Sequence, residues 1–325
     1  MTCVRFSLFF PGVPGWCHHR VMFIRAQAIA IAACTAAFGA ATGVRGQQDL
    51  INQAHRLDLA GKPDAAIVLY REALEQDADS FDAHYGIARA LDLTGHYEEA
   101  RRHFGRAIEL APEGVKDQAL RMIGVSYVFT GEISQASGYF RQVFERQTAS
   151  GNFVSAAEVA NELGRVYLES GDLDSASRWY RMGYVTAARE LTRSTPENDL
   201  ADLRWVHAQA RIAARTGDKK EARRQEAAFK KLLDKGTNPD QQIQHPYLLG
   251  YVHFYLKEYG GAVEELQKAD ESDPFILVLL GESYEKLGNQ VRARESYRKA
   301  LASTSHAVNN AFARGIALQK LQDTR

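Results

Sequence analysis

The stretch FDAHYGIARALDLTGHYEEARRHFGRAIELAPEG, residues 81–114, decides the fold. Ile87, Ala88 and Leu91 fall at helical spacing and make one apolar stripe, and Ala100, Phe104, Ala107 and Ile108 make a second. Gly95 sits between the stripes, where a glycine can take a positive φ and end the first helix; Pro112 stops the second. The segment therefore predicts two short antiparallel helices. Ala88 and Ala100 are small enough to let them approach closely, and Phe104 fills the space toward the next unit.

Outward from this segment the same frame recurs. Ala66, Ala100, Ala136, Ala176, Ala222, Ala262 and Ala293 occupy equivalent places, and Gly61, Gly95, Gly131, Gly171, Gly217 and Gly288 precede six of them at a constant offset. A period of this size predicts a solenoid, because each unit is too small to bury its own apolar face and must stack on its neighbours. The interval is longest between Ala176 and Ala222 and shortest between Ala262 and Ala293, which calls for longer helices or loops near Gly151, over 191–202 and near Thr237. Such a fold offers surfaces to partners, so the pattern points to binding rather than catalysis.

The residues that carry the frame resemble the tetratricopeptide repeat. Ala88, Gly95, Tyr97, Ala100, Phe104, Ala107 and Pro112 fall in its register in the second unit, and Gly124, Tyr127, Gly131, Ala136 and Phe140 in the third. Leu163, Gly164, Tyr167, Gly171, Ala176 and Tyr180 carry it in the fourth, and Gly281, Tyr284, Gly288, Ala293, Tyr297 and Ala300 in the last. The first unit, with Ala54, Gly61, Ala66, Tyr70 and Ala73, also fits. Two units depart from it: the fifth has Glu226 where an aromatic is expected, and the sixth has Lys257 at the glycine turn, with Phe229 and Leu266 as candidates for the missing apolar bulk. The resemblance covers residues 47–307 and implies an all-α, right-handed superhelical solenoid of about seven helix-turn-helix repeats, with 308–325 as a capping helix and tail.

In this family the first helix of each unit lines a concave groove, so the resemblance picks out His55, Arg89, Asn161, Arg165, His207, Arg211 and Arg215 as groove residues, flanked by Arg121 and Arg204. Arginines on consecutive helices can hold carboxylates bidentately. The alternative is that they pair with Glu158, Glu162 and Glu169 on neighbouring turns. Related proteins hold a C-terminal carboxylate with a Lys/Asn/Arg clamp, of which only part is present here. Tyr247, Tyr251, Phe254 and Tyr255 crowd one first helix; Tyr247 and Tyr251, one turn apart, are read either as apolar anchors for a partner or as cover for the irregular fifth unit.

Residues 1–46 differ in kind. They hold four arginines and no acidic residue, with an uncharged, alanine-rich run over 26–43, and read as a secretory leader with a functional start at Met22 and cleavage near Gly46. An uncleaved anchor is disfavoured, since a span wants about 20 strongly apolar residues. Ile31, Ala32, Ala33 and Cys34 resemble a bacterial lipoprotein box, which makes lipidation at Cys34 the competing reading. Cys3, Cys17 and Cys34 all lie in the leader, so the mature chain would carry no thiol. The formal net charge is zero for the whole chain and about −4 without the leader, a balance unsuited to nucleic acid or anionic lipid.

Motifs for catalysis do not emerge. The sequence has no phosphate-binding loop, no nucleophile elbow around Ser283, and no zinc-protease histidine pair. His96 and His103 lie on a turn and a helix with no third ligand, and His253 takes an aromatic's place in the repeat frame, where a packed, hydrogen-bonded histidine is the usual reading. The expectation is an exported, non-catalytic scaffold of the bacterial cell envelope without metal or cofactor, whose partner is a protein or peptide with acidic residues and apolar anchors. It would meet no nucleic acid, and a membrane only through a lipid anchor or an uncleaved leader. The alternatives are a lipid-anchored structural subunit of an envelope assembly or secretion machine and, from a third class, an enzyme or cofactor carrier whose site joins side chains far apart in sequence.

Overall fold

The computed structural model describes residues 32–323, with side chains from Gly46 onward. Most of the leader, and the side chain of Cys34 with it, lies outside the described residues. The chain divides into two units between Gly43 and Val44, and apart from the first residues of the first helix all that follows concerns the second. No strand occurs among the described residues, and no helix there is long and apolar enough to cross a membrane.

Seven helical hairpins follow one another: α1 (Ala32–Leu59) with α2 (Pro63–Gln76), α3 (Phe81–Thr94) with α4 (Tyr97–Leu110), α5 (Glu113–Phe129) with α6 (Ile133–Ala149), and α7 (Phe153–Ser170) with α8 (Leu173–Ala187). Then come α9 (Thr195–Thr216) with α10 (Lys219–Leu233), α11 (Gln244–Tyr255) with α12 (Tyr259–Leu266), and α13 (Pro274–Lys286) with α14 (Gln290–Leu301). A short 3-10 helix, Pro239–Ile243, leads into α11, and α15 (Val308–Gln322) ends the chain. This is a solenoid of helical hairpins.

The second unit shows how the sequence makes each hairpin. Ser80 caps α3 by accepting from the Ala83 amide at 3.4 Å, and Gly95 at φ +86° ends it. Ala88, Ala100 and Phe104 are all fully buried. A ring such as Phe104 contributes roughly 1.5–3 kcal/mol by leaving water. Close approach between the paired helices is written into the small residues: a Cβ added at Gly164 of α7 would lie 2.9 Å from the Tyr180 ring of α8.

The two irregular units find local solutions. Phe229 and Leu266 supply buried bulk, at 2% and 0% exposure. Glu226, in the aromatic's place, is buried but accepts two hydrogen bonds from Arg223 at 3.0 and 2.8 Å, and Arg223 also reaches Glu258 and, at 3.2 Å, His253. Lys257 adopts φ +64°, the left-handed turn that glycine makes in the other units, and is the only non-glycine residue described with a positive φ.

The superhelix closes on itself. Helix α15 lies against α13 and α14 and also, across the superhelix, against α5 and α7. Ala311, Ala313 and Ala317 on α15 are buried at 1% or less, small residues that permit this contact. One apolar core accordingly runs from Leu93 of α3 through Leu163 and Tyr251 to Ala317. The tail thus does more than cover the last hairpin: it fills part of the face that the first helices would otherwise leave open.

Candidate binding chamber

What α15 leaves open is a chamber of about 370 Å³. Helix α7 lines it with Asn161, Glu162 and Arg165, α8 with Tyr180, α9 with Leu203, Arg204, His207 and Arg211, and α10 with Phe229. Gln241, Gln244 and the start of α15, Ala307 to Asn309, close the rest. Each set follows from helical periodicity: Asn161, Arg165 and Glu169 are successive one-turn neighbours on α7, as are His207, Arg211 and Arg215 on α9 and Tyr247, Tyr251 and Tyr255 on α11. The three faces meet.

At the meeting point one carboxylate, Glu169, faces three guanidinium groups, with Arg165 at 3.1 Å, Arg215 at 3.2 Å and Arg211 at 3.9 Å. The Glu169 side chain is 2% exposed and also accepts from the Tyr251 hydroxyl at 3.3 Å. Aromatic faces supply further stabilisation for the cations. Arg165 lies 4.9 Å from the Phe275 ring and 5.7 Å from Tyr247, and Arg211 lies 5.4 Å from Tyr180 and 5.7 Å from Tyr251. Arg211 also donates to the Tyr180 hydroxyl at 2.8 Å, and Arg215 to that of Tyr255 at 3.2 Å.

These contacts do not exhaust the donors. Nε and Nη2 of Arg165, Nε and Nη1 of Arg211, Nε2 of His207 and the Tyr247 hydroxyl are buried without a hydrogen-bond partner among the described residues. The Arg165–Glu169 approach is short, but it is not aligned as a hydrogen bond. Burial, reinforced by Arg211 and Arg165, pushes the His207 imidazole well below its ordinary pKa, so it is neutral at physiological pH. Burial pushes Tyr247 up to about 12, which keeps its hydroxyl proton in place.

Of the groove residues expected from the sequence, Asn161, Arg165, His207, Arg211 and Arg204 come together on the chamber wall. Arg215 stands behind them on Glu169. Tyr247 and Tyr251, at 2% and 0% exposure, form the chamber's backing and present no free surface to a partner. Arg89 sits apart, 5.8 Å from the Tyr85 ring, and His55 is exposed. Both readings of the arginines contain part of the geometry: Arg121 holds Glu162 at 2.7 Å, Arg204 holds Glu158 at 3.2 Å, and Arg165, Arg211 and Arg215 face Glu169, while Arg165 and Arg211 also retain donors without a hydrogen-bond partner. The sequence reading missed Tyr180 and the α15 wall, which belong to elements assigned to packing and capping. Among the described residues no group of three histidines, cysteines or carboxylates could hold a metal.

Family models described as tetratricopeptide repeat match residues 59–123, and 121–191 with 247–308, together more than half of the chain. The chain belongs to the tetratricopeptide repeat family. The matches leave out 192–246, which holds the fifth hairpin with His207, Arg211 and Arg215, so the chamber's cations fall largely on the unit that departs from the tetratricopeptide pattern. Among solved tetratricopeptide-like structures, the apo form of RapI is 12% identical with a TM-score of 0.53, covering 85% of this chain and 99% of that one. A tetratricopeptide repeat protein from Parabacteroides merdae is also 12% identical, with a TM-score of 0.50 and the same coverage. At such identity the likeness is one of fold. No curated protein matches the sequence.

Proposed function

We propose that the protein is an exported, non-catalytic scaffold of a bacterial cell envelope that binds a protein or peptide segment at the concave face, where the chamber opens. Tetratricopeptide repeats bind protein partners as a class, and the acid-free leader with its apolar run supports export. The observation that carries the reading is the set of buried arginine donors left without partners in Arg165 and Arg211, since a buried unpaired donor costs about 1–3 kcal/mol and is retained for a reason. A partner segment with an acidic residue would satisfy those donors.

The test has two arms. N-terminal sequencing of the protein from fractionated cells should find a chain beginning near Gln47 outside the cytoplasm; an intact leader in the cytosol would refute export, and acyl chains on Cys34 would favour a lipid-anchored subunit instead. Partners cross-linked in the envelope fraction should be titrated against Arg204→Glu, which sits half-exposed at the chamber mouth. Weakening that is greater at low than at high salt supports the reading, because screening reduces the contribution of a surface charge. Unchanged binding with intact helicity would move the binding face elsewhere.

A further inference from the structure

The concave face is partly filled by the chain's own last helix. We propose that the superhelix opens at this seam, with α15 leaving α5 and α7 while it stays on the last hairpin, and that the closed ring is a self-occluded state from which the face is released.

The polar contacts of α15 decide which side it keeps. Asn309 donates to Asp273, the N-cap of α13, at 2.5 Å, and Lys320 pairs with Glu285 of α13 at 3.0 Å. Arg314 donates to the Leu301 carbonyl at the end of α14 at 3.2 Å, and Asn310 donates to the Ser305 carbonyl of the linker at 2.6 Å. Toward the earlier hairpins the helix packs on α5 and α7, and the linker makes a polar tie, the His306–Asp92 hydrogen bond at 2.7 Å.

Both flanks of that tie are open. Ala307, Val308 and Asn309 border the chamber. Leu301 to Thr304, with Arg314, border a second cavity of about 380 Å³, whose far walls are the turns of the first two hairpins around Gly61 and Thr94. A crossing bounded by cavities forfeits the dispersion contacts of a packed interface, and such places open before the core does. Each hairpin need contribute only a small rotation, because rotations sum along a solenoid.

Size supplies the consequence. Pockets for single small ligands start at about 300 Å³, so a chamber of about 370 Å³ is too small for a peptide segment of several residues. A partner segment therefore enters only when the wall from Ala307 to Asn309 withdraws with the last hairpin. That step rests on the scaffold reading above; the opening itself stands on the seam.

The test is double electron–electron resonance on the full-length protein with Cys3, Cys17 and Cys34 changed to serine, so that introduced cysteines are its only thiols. Labels at Gln118→Cys on α5 and Gln319→Cys on α15 read the seam, and labels at Val291→Cys on α14 and Gln319→Cys read the last hairpin; all three side chains are exposed. His306→Gln and Asp92→Asn should each raise a second, longer seam distance by about tenfold, the scale of one buried hydrogen bond, while the α14–α15 distance stays as it was. Should those variants not fold, the parent in urea below its unfolding transition carries the test: the longer seam distance should grow while helicity is kept. A seam distance that stays single until helicity is lost, or an α14–α15 distance that lengthens with it, would overturn the proposal. An opening seam in a protein with no envelope partner would support the gate and leave the scaffold reading without support. A partner bound by a protein whose seam never opens would do the reverse.

Discussion

Asp92 and His306 are 214 residues apart in sequence and meet at 2.7 Å, with both side chains at 0% exposure. The imidazole lies between the rings of Phe104 and Phe129, with both centroids at 5.5 Å, and Asp92 also accepts from the Ser126 hydroxyl at 2.9 Å. This joint ties α3 and α5 to the segment that leads into α15. It joins the first hairpins to the last, beside the packing of α15 on α5 and α7.

His306→Ala should lower the stability of the folded protein by about 3 kcal/mol, because it leaves the buried Asp92 carboxylate with Ser126 alone. Asp92→Ala should cost a similar amount, and the two together should cost less than their sum. Urea denaturation of the three variants measures the coupling, and strict additivity would show that the joint contributes nothing to closure.

The hairpins were legible because their information is local: Ala88, Gly95, Ala100 and Phe104 sit within one unit, and helical periodicity and turn chemistry suffice to place them. The family relation was legible for the same reason. The chamber was half legible. Asn161, Arg165, His207 and Arg211 follow from which side of a first helix faces inward, but the burial of Tyr247 and Tyr251 depends on how tightly the superhelix winds, a sum of small rotations that no single unit encodes. Closure by α15 was not legible at all, although the buried run Ala311, Ala313 and Ala317 carries a trace of it as small residues at positions where a surface cap has no use for them.

Lys257→Gly should stabilise the protein by about 0.5–1 kcal/mol. The lysine holds φ +64° with an exposed side chain, so glycine removes the left-handed backbone strain while forfeiting no packing, and only its greater freedom in the unfolded chain opposes the gain. A lower melting temperature for this variant would mean that the lysine side chain makes an interaction that matters.

Ala100→Leu should cost on the order of 1–3 kcal/mol, since the alanine is fully buried where α3 and α4 approach and a larger side chain must push them apart. Because stability in a solenoid sums unit and interface terms, the third hairpin should loosen as well. Hydrogen exchange resolved along α5 and α6 reads that spread; a change confined to α3 and α4 would limit the coupling between neighbours.

Two groups in the first hairpins give opposite pH dependences over one window. Burial pushes Asp58 up to about 6, against a hydrogen bond from Tyr70 and the charge of Arg89, so the folded state binds this proton more tightly than the unfolded one; its stability contribution is present below about pH 4 and lost as pH rises through 6. Burial, with His84 beside it, pushes His103 down to about 4, so its contribution is present above about pH 6.5 and lost as pH falls through 4. Asp58→Asn should therefore make stability rise more steeply with pH between 4 and 6, and His103→Gln should make it rise less. Melting curves across that range in the two variants decide the signs.

Glu169 is the last group to probe, and it should prove far less replaceable than the arginines around it. Among the described residues it is the single carboxylate paired with Arg165, Arg211 and Arg215, so Glu169→Gln leaves three buried or half-buried cations facing one another and should cost about 3 kcal/mol or more. Arg211→Gln removes a cation from a cluster in which three face one carboxylate, losing the bond to Tyr180 but relieving repulsion from Arg165, and should cost under about 1 kcal/mol. Urea titration at fixed pH compares them directly. A large cost for Glu169→Gln beside a small one for Arg211→Gln is the signature of a cationic surplus kept for a ligand; equal costs would mean that the cluster is balanced as it stands.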